Sequence, residues 1–192
     1  MACIKKLTSA LAFDCESGVT GFKSALFFNK SDLTSFSVTD NKATIVVAAA
    51  NTYKIDTVKR SIVLNETLKV NEAAPNAFTH EAIINIFAKG DRVIQNDLRN
   101  ARIVICALGN DNNVRVYGLF YGLKATASTE SSHDNGGWTQ FTLSTPEGVV
   151  GEDSLYMDKA AYDTLYTGAN PSVSGDGFAG TSTGGEEIDS LG

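Results

Sequence analysis

The chain has 192 residues, enough for one domain with a core of its own, and its 43% hydrophobic and 20% charged content is that of an ordinary globular protein. A formal charge of −6 and a pI of about 4.9 argue against a nucleic-acid-binding surface, which needs clustered Lys and Arg to neutralise phosphates. Two histidines, and three cysteines without a CxxC spacing, offer neither a zinc cage nor a disulfide framework.

At the N-terminus, Lys5 and Lys6 precede a short apolar stretch and Cys15, in loose imitation of a lipoprotein signal. Thr8 and Ser9 break that stretch, and Asp14 stands where a small neutral residue is wanted, so no secretory segment is expected. Cys3, Cys15 and Cys106 are then expected as reduced, inert thiols, and the sequons at Asn29 and Asn65 as free of sugar. No apolar run approaches the roughly 18 residues of a membrane span.

Strand periodicity dominates the chain from residue 23 onward. Strands are expected over residues 23–28, 36–39, 43–49 and 53–58, with a turn at Asp40-Asn41. In 62–70 the even positions Ile62, Leu64, Leu68 and Val70 are apolar and the odd ones Asn65, Thr67 and Lys69 polar, the pattern of a half-buried strand, interrupted once by Glu66. In 78–88, Phe78, Ala82, Ile84, Ile86 and Ala88 share one face. Ile83 and Phe87 make the other face partly apolar, so this strand is expected to be central or to face a neighbouring subunit. A short helix is expected over 91–100, capped by Asp91, with Val93, Ile94 and Leu98 as its apolar stripe. Further strands are expected over 102–108, 114–117, 119–129, 138–144 and 154–157, with loops at 109–113 and 134–137. A second helix is expected over 158–166, capped by Asp158, with Ala161, Tyr162 and Leu165 facing inward. Residues 168–192, rich in Gly, Ser, Thr and acidic side chains, bury too little apolar area to offset their ordering entropy, and read as a flexible tail. The organisation expected is a mainly β protein: an antiparallel β-sandwich or barrel over 1–167 with one flanking α-helix, then the tail over 168–192.

No residue stands out as catalytic, cofactor-binding or metal-binding. His133 and Asp134 lie together in a polar loop and lack a further ligand. His80 falls on the apolar face of its strand, where a hydrogen-bonded core or interface histidine is expected rather than a base. The acidic set Glu147, Glu152, Asp153, Asp158 and Asp163 lacks calcium-loop spacing and reads as a solvated edge or subunit contact. Gly148 and Gly151 read as turn glycines, since no Lys-Ser/Thr follows as in a phosphate loop. Trp138 reads as core filler or interface anchor.

The stretch Gly136-Gly137-Trp138-Thr139-Gln140-Phe141-Thr142-Leu143-Ser144-Thr145-Pro146-Glu147-Gly148, running into Gly151-Glu152-Asp153-Ser154-Leu155-Tyr156-Met157, resembles the late hairpin of small tailed-bacteriophage structural proteins, the tail-tube and head–tail connector ring components. The order of several strands, one helix over 91–100 and more strands is similar too. The opening Met-Ala-Cys-Ile-Lys-Lys and the low-complexity tail are similar to proteins of phages infecting Bacteroidetes, the crAss-like phages among them. The resemblance implies a virion structural protein, not an enzyme, without cofactors and assembled in the bacterial host cytoplasm. It implies a hexameric or dodecameric ring of self-contacts, flanked by other neck, portal or tail proteins. Genomic DNA would pass through the ring without specific binding, with no membrane involved. Two other readings stay open: a capsid-decorating or head-fibre binding module, and a carbohydrate-binding or hydrolytic β-sandwich.

Overall fold

A computed structural model describes residues 21–55, 62–70, 76–86, 92–131, 138–149 and 151–170. The described chain is mainly β: β1 (Phe22–Asn29), β2 (Leu33–Thr39), β3 (Lys42–Val47), β4 (Thr52–Ile55), β5 (Ile62–Lys69), β6 (Ala77–Ile86), β7 (Arg102–Gly109), β8 (Val114–Tyr117), β9 (Leu123–Ser131), β10 (Trp138–Ser144) and β11 (Leu155–Met157). Helix α1 (Arg92–Asn100) separates β6 from β7, and α2 (Lys159–Gly168) follows β11.

The strands form one sheet that branches at β7. Its longest path runs β2-β3-β11-β8-β7-β9-β10-β6-β5, and β1 pairs with β7 on its other edge and with β4 beyond. Strand β8 lies opposite the C-terminal half of β7, from Ile105 to Leu108, and β9 meets only Arg102 and Ile103. Both therefore leave the same edge of β7. Gly118 and Gly122, at φ +72° and +71°, turn the chain between them, in a conformation that side chains with a Cβ rarely adopt.

This branching makes β7 a partition with a core on each face. Val104, Cys106 and Leu108 pack with Leu26, Phe28, Ile45, Val116, Met157 and Tyr162 in one cluster. Ile103, Ile105 and Ala107 pack with Ala82, Ile84, Leu98, Phe141 and Leu143 in the other. A strand buried on both faces reads as a continuous apolar run, as Ile103-Val104-Ile105-Cys106-Ala107-Leu108 does. The Cys106 thiol, fully enclosed, is pushed up to about 12 by burial and stays protonated. Cys3 and Cys15 lie outside the described residues.

Expected strands recur with shifts of a few residues, and three expectations are corrected. Residues 118–122 form a turn rather than the start of the strand expected over 119–129, because the flanking glycines are in the left-handed region and Gly122 N–H donates to Gly118 O at 2.9 Å. Of the two forms expected, the sheet is sandwich-like and does not close into a barrel, and it is mixed rather than antiparallel, since β11 runs parallel to β3 while the other named strand pairs are antiparallel. Two helices flank it, at the two places where helices were expected, one more than the single flanking helix of the overall organisation expected.

Within α2, Tyr162 is buried and donates to or accepts from Ser24 Oγ at 2.8 Å, and Leu165 packs on the same core, but Ala161 faces solvent. Asp158 stands at the N-cap position without a side-chain capping bond. The folded body continues past residue 167: Ala169 is buried and Asn170 exchanges backbone bonds with Thr52 and Lys54 at 3.0 Å each. Asp91, His133, Asp134 and the turn at 134–137 lie outside the described residues, as do Phe87, Ala88 and positions 171–192 of the tail.

Candidate functional site

Two inward positions along β5 and β6 carry polar side chains. Glu66 and His80 stand directly opposite each other in the antiparallel register. The apolar row of each strand is broken at the same place, and the break is filled by a polar cluster in which His80 and Glu152 are buried and Glu66 lies at the rim.

His80 is 1% exposed. Its Nδ1 accepts the Gly118 backbone N–H at 3.1 Å, which leaves the proton of the neutral ring on Nε2. Nε2 lies 3.7 Å from Glu66 Oε1, and Nδ1 lies 3.8 Å from Glu152 Oε1. The ring also stands edge-on to Tyr117, with centroids 5.1 Å apart. Burial lowers the His80 pKa from its ordinary value, and the Glu66 carboxylate opposes that.

The two carboxylates differ in their surroundings. Glu66 reaches out of the sheet and accepts both the backbone N–H and the hydroxyl of Ser154, at 2.8 and 2.7 Å. Glu152 is buried, and one of its oxygens accepts the Phe120 N–H at 2.7 Å, whereas Oε1, turned toward His80, has no hydrogen-bond partner. Burial raises the Glu152 pKa, against the Phe120 N–H and the nearby Lys30 ammonium. Lys30 donates to Leu119 O at 2.6 Å and lies over the Phe36 ring, and burial lowers its pKa while Glu152 opposes.

Four distant segments are thereby tied together: β5, β6, the turn at 118–122 and the crossing segment at 151–154. The crossing is close. A Cβ on Gly151 would overlap the Phe78 carbonyl, and the Thr145 N–H donates to His80 O at 3.0 Å while the His80 N–H reaches Thr145 Oγ1 at 2.8 Å. Chemically, the cluster holds a proton on His80 Nε2 and braces the junction of the two branches. A depression of about 300 Å³ lined by Phe120, Tyr121, Gly151, Glu152, Asp153 and Leu155 lies beside it, and the His80 ring is sealed from solvent.

Of the acidic set read as a solvated edge, Glu152 is the exception: the turn at 118–122 folds over it and supplies its donor. Glu147, Asp153, Asp158 and Asp163 are exposed, and Asp163 pairs with Lys159 at 2.5 Å. His80 is buried and hydrogen-bonded. The parts that sequence reasoning missed are the Gly118 donor, Ser154 and the inward turn of Glu152. Only the matched polar breaks at Glu66 and His80 signalled the cluster.

The surface offers a second candidate region at the ends of the sheet. The branched sheet ends at β2, at β5 and at β4, and of these β4 is bridged by Asn170 at Tyr53. At the β2 end Phe36, Val38 and Phe120 are 37, 38 and 43% exposed; at the β5 end Leu68 and Val70 are 49 and 72% exposed. Phe36 and Phe120 meet edge to face with centroids 5.4 Å apart. No family model matches the chain, and neither a curated protein nor a solved structure matches it.

Proposed function

We propose that this chain is a non-enzymatic structural subunit of a tailed-phage virion, assembled in multiple copies as a ring of the tail tube or head–tail connector through which DNA passes. The observation that carries the reading is the pair of uncovered sheet ends. Among the described residues, β2 and β5 each lack a second neighbour, and each carries large apolar side chains into solvent. Open edges of this kind invite pairing with another chain, and lone proteins blunt them with charge, proline or covering segments. A ring satisfies such edges by joining subunits around a closed path. The buried cluster is in keeping with the same reading, because the bonds that Glu66, His80 and Glu152 make tie β5, β6, the turn at 118–122 and the 151–154 segment together. The −6 charge suits a lumen past which DNA slides, provided the acidic residues face inward.

Size-exclusion chromatography with light scattering, followed by electron microscopy, tests it. The expected result is closed rings whose mass is a six- or twelvefold multiple of the 20.4 kDa chain. A strictly monomeric protein, both free and in purified virions, overturns the reading.

A further inference from the structure

Strand β2, Leu33-Thr34-Ser35-Phe36-Ser37-Val38-Thr39, contains no charge, no proline and no glycine. Among the described residues it is a terminal strand without charge, whereas β5 carries Glu66 and Lys69 and β4 carries Lys54. We propose that a second copy of this chain docks there, β2 against β2, in an antiparallel ladder with its two-fold axis at Ser37.

The register follows from the hairpin. Asp40 and Asn41, at φ 50° and 62°, form a two-residue turn of the type that matches strand twist. The flanking pair Thr39 and Lys42 exchanges both its backbone hydrogen bonds in such a turn, and the pattern alternates along the ladder. Thr39, Ser37 and Ser35 therefore bond inward to β3. Phe36 and Val38 direct their N–H and C=O groups to the free edge. The ladder shifts register between Leu33 and Ser35, so the regular part of the edge is residues 35–39, and its centre is Ser37.

A two-fold axis at Ser37 places Phe36 opposite Val38 of the second copy, twice. These are the residues whose backbone groups are available, so the register satisfies four hydrogen bonds. It also sets an aromatic side chain against a β-branched one, a favourable cross-strand pair. Phe36 and Val38 lie across from Ile45 and Ala43, hence on the core-facing side of the sheet, where they stand only partly covered. Pairing two copies makes their four side chains one apolar strip continuous with both cores. The opposite face carries Ser35, Ser37 and Thr39 against the same three residues. Two chains of net charge −6 repel, and an uncharged strand lets them meet without like charges facing each other.

This inference rests on the reading of the chain as an assembling subunit. It assigns the β2 end to a two-fold contact, so that a closed ring alternates β2–β2 contacts with a second two-fold contact at the β5 end, and six or twelve chains close as three or six pairs.

Cysteine cross-linking of the full chain, with Cys3 and Cys15 changed to Ser, tests it. Residues on a two-fold axis in a non-hydrogen-bonded pair have Cα atoms about 4.5 Å apart, within disulfide reach. Ser37→Cys is expected to give a covalent dimer under mild oxidation. Ser35→Cys alone is expected to give none, while Ser35→Cys with Thr39→Cys restores it. A monomeric Ser37→Cys, or a Ser35→Cys that cross-links equally well, overturns the register and the proposal. Without oxidant, Phe36→Lys and Val38→Lys are each expected to weaken dimerisation by roughly tenfold or more in sedimentation, with an unchanged circular dichroism spectrum. Two folded variants that dimerise like the parent overturn it. Rings that persist in Phe36→Lys would sink the pairing and leave the ring reading intact. Dimers without larger assemblies would keep the pairing and remove the ring.

Discussion

His80 and Glu152 face each other with opposite pH behaviour. The folded state holds the His80 pKa below its ordinary 6.5, so on acidification the unfolded chain takes up that proton first. Its contribution is fully present above 6.5 and is lost as pH falls from there through the depressed folded value. Glu152 is held above its ordinary 4.5, so its contribution is fully present below 4.5 and is lost as pH rises through the raised folded value. Glu152→Gln keeps an acceptor for the Phe120 N–H and removes a buried charge. Its stability at pH 7 is expected to equal or exceed that of the parent, with a steeper loss on acidification below pH 6.5, since only the histidine linkage remains. Glu152→Ala leaves the Phe120 N–H unsatisfied and is expected to cost about 1–3 kcal/mol. Urea unfolding at pH 7.5 and pH 5 measures both variants. An Ala variant as stable as the parent would show that the brace carries no weight.

Helix α2 is anchored to the sheet chiefly by Tyr162, with Leu165 and Tyr166 packed against the same core. Among the described residues Tyr162 is the bulkiest that is fully buried, and its hydroxyl, bonded to Ser24, has its pKa raised by burial. Tyr162→Phe is expected to cost about 1 kcal/mol through the lost hydrogen bond, and Tyr162→Ala about 3–5 kcal/mol through the cavity, read from denaturant midpoints at constant slope. Elements of this kind were legible in the sequence where local chemistry decided them. The alternation over 62–70 and 138–144, the turn at Asp40-Asn41 and the helix after Asp158 depend on neighbours in sequence. What was illegible depended on distance. Leu119-Phe120-Tyr121 looks like strand and becomes turn, because two glycines and the Glu152 carboxylate, 32 residues away, bend it. The pairing of β11 with β3 in parallel, and the inward Glu152, follow from where the 151–154 segment crosses β6. No local pattern records that crossing.

At the scale of the molecule, the division between body and tail lies slightly later than composition implied. Asn170 adds two backbone bonds to β4, and its amide reaches Ala50 O at 2.6 Å. Truncation after Asn170 is expected to leave the melting temperature nearly unchanged, since the remaining residues are chiefly Gly, Ser, Thr and acidic. Truncation after Thr167 is expected to lower it measurably by scanning calorimetry, through loss of Ala169 from the core and of the Asn170 bridge. Equal melting temperatures for the two truncations would place the boundary back at 167. The overall charge and the mainly β class were readable from composition and periodicity. The branching of the sheet was not, because it requires one strand to serve two cores.

That shared strand has a mechanical consequence. Loosening either branch strips one wall from β7 and exposes its apolar side chains there, so neither half can come undone while the other stays whole. A chain built this way transmits a pull on one edge through to the opposite side as a rigid piece, and yields, when it yields, all at once.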